Sequence, residues 1–244
     1  MVADRIEWAG RLLSGTDRFG TWTTNSIDGW WDSPDVKGET VDRENSDGEY
    51  DLPTYNAARV VTVTGNLQAR SHMDMHEAMN FLTGPMRGRL QVSGHSSTQW
   101  ADAKRNAGVK FTPITDTLAT WQVPLRCPDP AKYGDRHTYD LAPNVAVSAF
   151  HRGNYAASPV VQVNGPLVGG FTITHPGGLY TALGDLGAGG WVRVDFATGR
   201  LRLNGNDRSD LVTRADLFKV LPGNNASVKI SKGTGYVEVI DTYM

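Results

Sequence analysis

The sequence predicts a mainly β protein of two domains with one α-helix. Three observations carry that prediction. Twenty-seven glycines in 244 residues supply many tight turns. Short runs rich in β-branched and alternating apolar residues recur, with Gly, Pro and Asn between them. Only one stretch places apolar residues at helical spacing.

The first domain is expected over residues 1–133, in the order strand, strand, acidic arm, strand, helix, strands. The N-terminus, Met1-Val-Ala-Asp-Arg-Ile-Glu-Trp, has no basic region followed by an apolar run, so no signal peptide is expected. From Asp28 to Asp51 nine acidic residues face only Lys37 and Arg43, a charge of −7 in 24 residues, and the remainder carries about +5. Gly29, Pro34, Gly38, Gly48 and Pro53 make this segment an ordered loop or arm and exclude a helix. One reading is a solvated loop. The other is an arm that packs on a neighbouring subunit, or an acidic channel wall that repels phosphate. Adjacent indoles at Trp30 and Trp31 favour anchoring to a surface.

Arg59-Val-Val-Thr-Val-Thr-Gly-Asn-Leu67 reads as a strand. Met75, Ala78, Met79 and Leu82 fall on one helical face, with Ser71 or Asp74 as N-cap and Gly84-Pro85 as the stop. Arg89–Ser93 and Ala119–Cys127 return to strand. Pro128 and Pro130 cannot continue a central ladder, so Cys127–Tyr133 is the domain exit. The second domain, 134–244, carries strands at Val161–Val163, Phe171–Thr174, Leu179–Leu183, Val192–Phe196, Leu201–Leu203, Leu217–Leu221, Ala226–Ile230 and Gly235–Ile240. Val161 and Val163 point to one side and Gln162 and Asn164 to the other. Ala197-Thr198-Gly199 makes a hairpin of the pair around it.

Composition bounds the function. Apolar residues are 39% and charged residues 20%, with a net charge of −2, so neither nucleic acid nor an anionic membrane is demanded as a partner. The single cysteine, Cys127, allows no intramolecular disulfide. No apolar run approaches the roughly 20 residues that span a bilayer, and no membrane insertion is expected.

Candidate chemistry is sparse. His72 and His76 lie four apart on the helix but without the His-Glu-x-x-His pattern, and a third metal ligand must come from elsewhere. A metal-dependent hydrolase is the reading they would support. Asp185 and Asp195 could pair for glycoside chemistry, although Asp195 is better placed to bond turn amides. Ser93-Gly-His95-Ser96-Ser97 is a polar turn, not Gly-x-Ser-x-Gly. Gly187-Ala-Gly-Gly190 lacks phosphate-loop spacing and a following helix. Cys127 has no base nearby in sequence. No catalytic residue, cofactor or metal is expected, and the chain is read as not an enzyme.

Three stretches carry a family resemblance: Gly153-Asn-Tyr through Pro159 to Gly165-Pro166, the hairpin Gly190–Gly205, and Asp216-Leu-Phe-Lys-Val-Leu-Pro-Gly-Asn-Asn225, read as a strand running into a turn. They resemble the C-terminal domain of siphophage distal tail proteins, over most of 153–244. Over 1–127 the resemblance rests on element order and on Asp47-Gly-Glu-Tyr50 preceding Arg59–Gly65. It implies a tail tube-like β-sandwich with one helix and a long arm, followed by a galectin-like β-sandwich. It implies a ring, a hexamer in that family, at the virion tail tip, made in the host cytoplasm. Its partners would be itself, the tail tube protein, and tail-tip or baseplate hub and receptor-binding proteins. DNA would pass through the channel without specific binding. Trp30, Trp31, Asp35 and Glu39 are the candidate inter-subunit contacts, and replacing both tryptophans by alanine is expected to weaken the ring and spare the fold. A bare tube subunit lacks the galectin-like end. The rival of another class is a lectin-like module that stacks glycans on Tyr155, Tyr180, Trp191, Tyr236 or Tyr243.

Overall fold

A computed structural model describes residues 5–94 and 97–244. The chain divides into two compact units, one running to Lys132 and the other covering Tyr133–Tyr243. Within the described residues there is one α-helix, and no helix is long and apolar enough to cross a membrane.

The first unit contains β1 (Arg5–Trp8), β2 (Arg11–Leu12), β3 (Gly15–Thr16), β4 (Gly20–Asp28), β5 (Val36–Lys37), β6 (Tyr55–Asn56), β7 (Arg59–Ala69), α1 (His72–Thr83), β8 (Arg87–Ser93), β9 (Gln99–Arg105), β10 (Lys110–Pro113) and β11 (Leu118–Cys127). Its main sheet runs β3-β4-β7-β11-β9-β8-β1-β2, and β10 adds to the edge of β11. β7 is the spine. Its alternation buries Arg59, Val61, Val63, Leu67 and Ala69 and leaves the intervening residues outward. It pairs antiparallel with β11 from Arg59↔Cys127 to Gln68↔Leu118. On its other edge it pairs with β4, whose register slips by a bulge between Thr24 and Ser26. Trp22 and Trp121 meet edge-on with centroids 5.9 Å apart in the core. Gly65 stands opposite them because a Cβ there would overlap the Trp121 indole and the Thr23 carbonyl.

The helix follows its sequence signals. The Ser71 hydroxyl accepts from the Asp74 amide at 3.1 Å, an N-cap that satisfies an otherwise unpaired donor. Met75, Ala78 and Leu82 are buried, while Met79 lies at the margin of that face. Its last turn is closed by the Arg105 guanidinium, which donates to the Thr83 carbonyl at 2.8 Å.

The second unit begins one residue into β12 (Lys132–Leu141), followed by β13 (Ala146–Ala149), β14 (Val160–Asn164), β15 (Phe171–His175), β16 (Gly178–Ala182), β17 (Trp191–Asp195), β18 (Arg200–Leu203), β19 (Asn206–Asp207), β20 (Val212–Ala215), β21 (Ala226–Ile230) and β22 (Thr234–Tyr243). One sheet runs β12-β22-β14-β17-β18-β19 and the other β13-β21-β15-β16-β20. Val161, Val163, Val192, Val194, Val237 and Val239 of the first join Phe171, Ile173, Tyr180, Val228 and Ile230 of the second in one core. The β17–β18 hairpin turns at Gly199, at φ +73°, where the Asp195 carboxylate accepts from the Ala197 amide at 2.8 Å.

One expected strand is absent. Leu217–Leu221 forms only an isolated bridge, Val220↔Ala157, and the strand lies earlier, at Val212–Ala215. Its residues do alternate: Phe218 and Val220 are buried, and Leu217 and Leu221 exposed. The place on the β16 edge is taken by β20, and the Asp216 carboxylate caps that edge by accepting from the Leu179 amide at 3.0 Å. Phe218 instead stacks on His175 at 4.3 Å.

Candidate assembly surface

The acidic segment is a projecting β-hairpin. It opens at β5 and β6, where Val36 faces Asn56 and Lys37 faces Tyr55, and the Ala57 amide donates to the Asp35 carbonyl at 2.7 Å. Further out, Asp42 bridges Glu49, and the Tyr50 amide donates to the Val41 carbonyl at 2.9 Å. The tip closes where the Arg43 amide donates to the Gly48 carbonyl. Every residue from Asp35 to Tyr55 is exposed. The apolar members are exposed with the rest, Val36 at 69%, Tyr55 at 65% and Tyr50 at 55%. Lys37, Glu39, Leu52, Pro53 and Tyr55 border an open groove of about 580 Å³ on the arm. None of the nine carboxylates forms an ion pair among the described residues.

The root of the arm is held by two buried cations. Arg59, 1% exposed, donates from Nη1 to the carbonyls of Gly29 (2.9 Å), Trp30 (3.3 Å) and Asp32 (2.6 Å), and from Nε to that of Pro130 (2.9 Å). Lys132, 4% exposed, donates to the Trp30 carbonyl at 2.8 Å. Burial lowers the ionisation of both, Lys132 to about 8, opposed by the negative field of Asp32. The carbonyls of the arm root and of the exit segment thus converge on one guanidinium. Gly29, at φ +80°, starts the arm where a Cβ would strike the Val60 carbonyl. Sequence reading missed Arg59 and Lys132 because their partners are backbone carbonyls, which no residue type advertises.

The four expected contact residues separate here. Trp30 is fully buried in the first unit's core at 0% exposure, so its indole presents nothing to a partner. The expectation that both tryptophans can be removed without harming the fold is therefore corrected at Trp30. Trp31 is 47% exposed, with the Lys132 ammonium 5.7 Å from its ring. Asp35 and Glu39 lie on the exposed arm.

The other candidates are spread over both units. His72 and His76 are exposed on α1, their rings 4.6 Å apart and edge-on, and no cluster of three or more potential metal ligands occurs among the described residues. Cys127 is buried, and burial raises its thiol to about 11. Asp185 accepts from the Gly169 amide at 2.7 Å, and Asp195 serves its own turn. His95 and Ser96 lie outside the described residues. Of the aromatics considered for sugars, Tyr180 is core, donating to the Gly199 carbonyl at 3.0 Å, and the Tyr236 hydroxyl donates to Gln162 at 2.9 Å. Tyr155 is 37% exposed, and Trp191 and Tyr243 are half-buried.

No protein-family model matches the sequence, and no curated protein matches it. Among solved structures, the chain is similar to the SPP1 Dit protein, described as a paradigm of the hub adsorption apparatus in Gram-positive infecting phages. The TM-score is 0.80 at 15% identity, over 99% of this chain and 100% of that one. It is also similar to a chain of the phage P2 baseplate in its activated conformation with calcium, at TM-score 0.51 and 6% identity over 90% of each chain. The same baseplate with strontium gives 0.50 and 6% over 89% of each. The chain has the fold of a siphophage distal tail protein, along its whole length.

Proposed function

We propose that the chain is a structural hub of a phage tail tip rather than an enzyme. Six copies close into a ring that joins the tail tube to the baseplate and its receptor-binding proteins. The supporting observation is the fold likeness to the SPP1 hub protein over the full length of both chains. The projecting arm, with exposed Trp31 at its root and Asp35 and Glu39 along it, agrees with that reading: it is a surface built to reach beyond its own unit. One repeated head-to-tail interface serves every subunit of a closed ring. The second unit offers its sandwich to the baseplate partners, and DNA passes through the ring without base-specific contact. In the infected host, the chain is made in the cytoplasm and ends at the virion tail tip.

Light scattering coupled to size exclusion tests this directly. A particle near six times 26.6 kDa, with a central hole in negative stain, is the expected result. A chain that remains monomeric at every concentration and captures glycans on an array overturns the ring in favour of the lectin-like module.

A further inference from the structure

The outer face of the first unit's sheet carries a row of like charges that no ion pair among the described residues neutralises. Arg87 on β8 stands directly opposite Lys104 on β9, and Lys104 stands directly opposite Arg126 on β11. All three are exposed. Directly opposed side chains on one face lie about 4.5–5.5 Å apart at Cβ, and like charges there repel. No carboxylate pairs with any of the three among the described residues. The nearest acid on this face, Asp102, reaches Arg89 instead, at 3.8 Å. Beside the row runs a groove of about 350 Å³ lined by Arg87, Gly88, Asp102, Ala103, Lys104 and Pro128.

The arm is the complement of this row. There, too, like charges face each other directly, Asp42 opposite Glu49, with Glu44 and Asp47 at the tip and no internal cation in an ion pair. Each feature is electrostatically unfavourable alone, and each supplies what the other lacks.

We propose that the acidic hairpin of one copy seats on the Arg87–Lys104–Arg126 row of the next copy. This rests on the ring reading and specifies its contact. The two patches differ, so the contact is heterologous and propagates from subunit to subunit until it closes. Opposed rows of this kind set register and partner choice more than raw affinity.

Charge exchange tests the pairing. The variants K104E/R126E and E44K/E49K change only exposed positions, and an unchanged circular dichroism spectrum and melting temperature establish that each folds. Light scattering at low salt, where surface charges are least screened, is expected to show wild-type assembly and about a tenfold or greater loss of association for each variant alone. Mixed in equal amounts, the two regain assembly, because each normal arm then meets a normal row and each reversed arm a reversed row. Assembly by either variant at the wild-type level overturns the contact and leaves the ring reading standing. A mixture that stays apart overturns it equally. A wild type that never associates removes the contact, and the ring reading is then judged by its own mass and imaging test. Duplex DNA retained by the wild type and lost by K104E/R126E, with assembly unchanged, identifies the row as a phosphate site and overturns the proposal.

Discussion

Trp30 and Trp31 are neighbours in sequence and opposites in physics. The Trp30 indole is enclosed in the first core, its Nε1 meets no hydrogen-bond partner among the described residues, and packing holds it with the Lys132 ammonium 5.5 Å from its ring. Trp30→Ala removes a large buried aromatic and loosens the carbonyls gripped by Arg59 and Lys132. It is expected to destabilise the fold by about 3–5 kcal/mol. Trp31→Ala alters a half-exposed ring, and a change within about 0.5 kcal/mol is expected. Urea denaturation of each single variant decides the matter, and equal losses for the two would contradict the assignment. The pair stood out in the sequence because adjacent indoles in an acidic segment are anomalous. Which of them faced inward was not legible, since that depends on Gly29 turning the chain over the Val60 carbonyl.

At the scale of elements, the proposed role of the arm separates assembly from folding. Its residues from Gly38 to Pro53 are all exposed, and they pair mainly with each other. Replacing Gly38–Pro53 with an Asn-Gly turn that joins β5 to β6 is expected to leave calorimetric stability within about 0.5 kcal/mol of the wild type. The same variant is expected to abolish the ring in light scattering. A large fall in melting temperature would show that the arm packs on its own unit instead. Other elements were readable for a common reason: β7, α1 and the β17–β18 hairpin each announce themselves through local periodicity and a local stop. Leu217–Leu221 misled because alternation shows that a segment has an inside and an outside but not that a ladder partner is available. The edge of β16 had already been filled by Val212–Ala215. The Arg87–Lys104–Arg126 row lay beyond reach for the same reason, since it exists only in the register of three strands distant in sequence.

The whole molecule has two cores, one centred on β7 and β11 and the other between the two sheets of the second unit. Two cores give two cooperative transitions when their titrations differ, and here they do. In the second unit, burial lowers the His175 pKa from 6.5, and its ring is stacked on Phe218 at 4.3 Å with Phe196 edge-on at 5.2 Å. The unfolded chain therefore takes up that proton first, and stability present above about pH 6.5 is lost as the pH falls. Asp216 is held below its ordinary range by the Leu179 amide and then by Arg214, so its contribution is also present at neutrality and lost in acid. In the first unit the shifted groups act at the other end of the scale. Lys132 titrates at about 8 in the fold against an ordinary 10.5, so stability there rises as the pH climbs from about 8 toward 9, above which the Cys127 thiol, raised by burial to about 11 from 9.0, opposes the gain. Scanning calorimetry from mildly alkaline to mildly acidic pH is expected to show two transitions, one rising between about pH 8 and 9 and the other falling in acid. His175→Phe is expected to flatten the acid response near the histidine range while leaving the alkaline one untouched. A single transition, or two that move together with pH, would mean that the units unfold as one body and that these buried groups do not govern them separately.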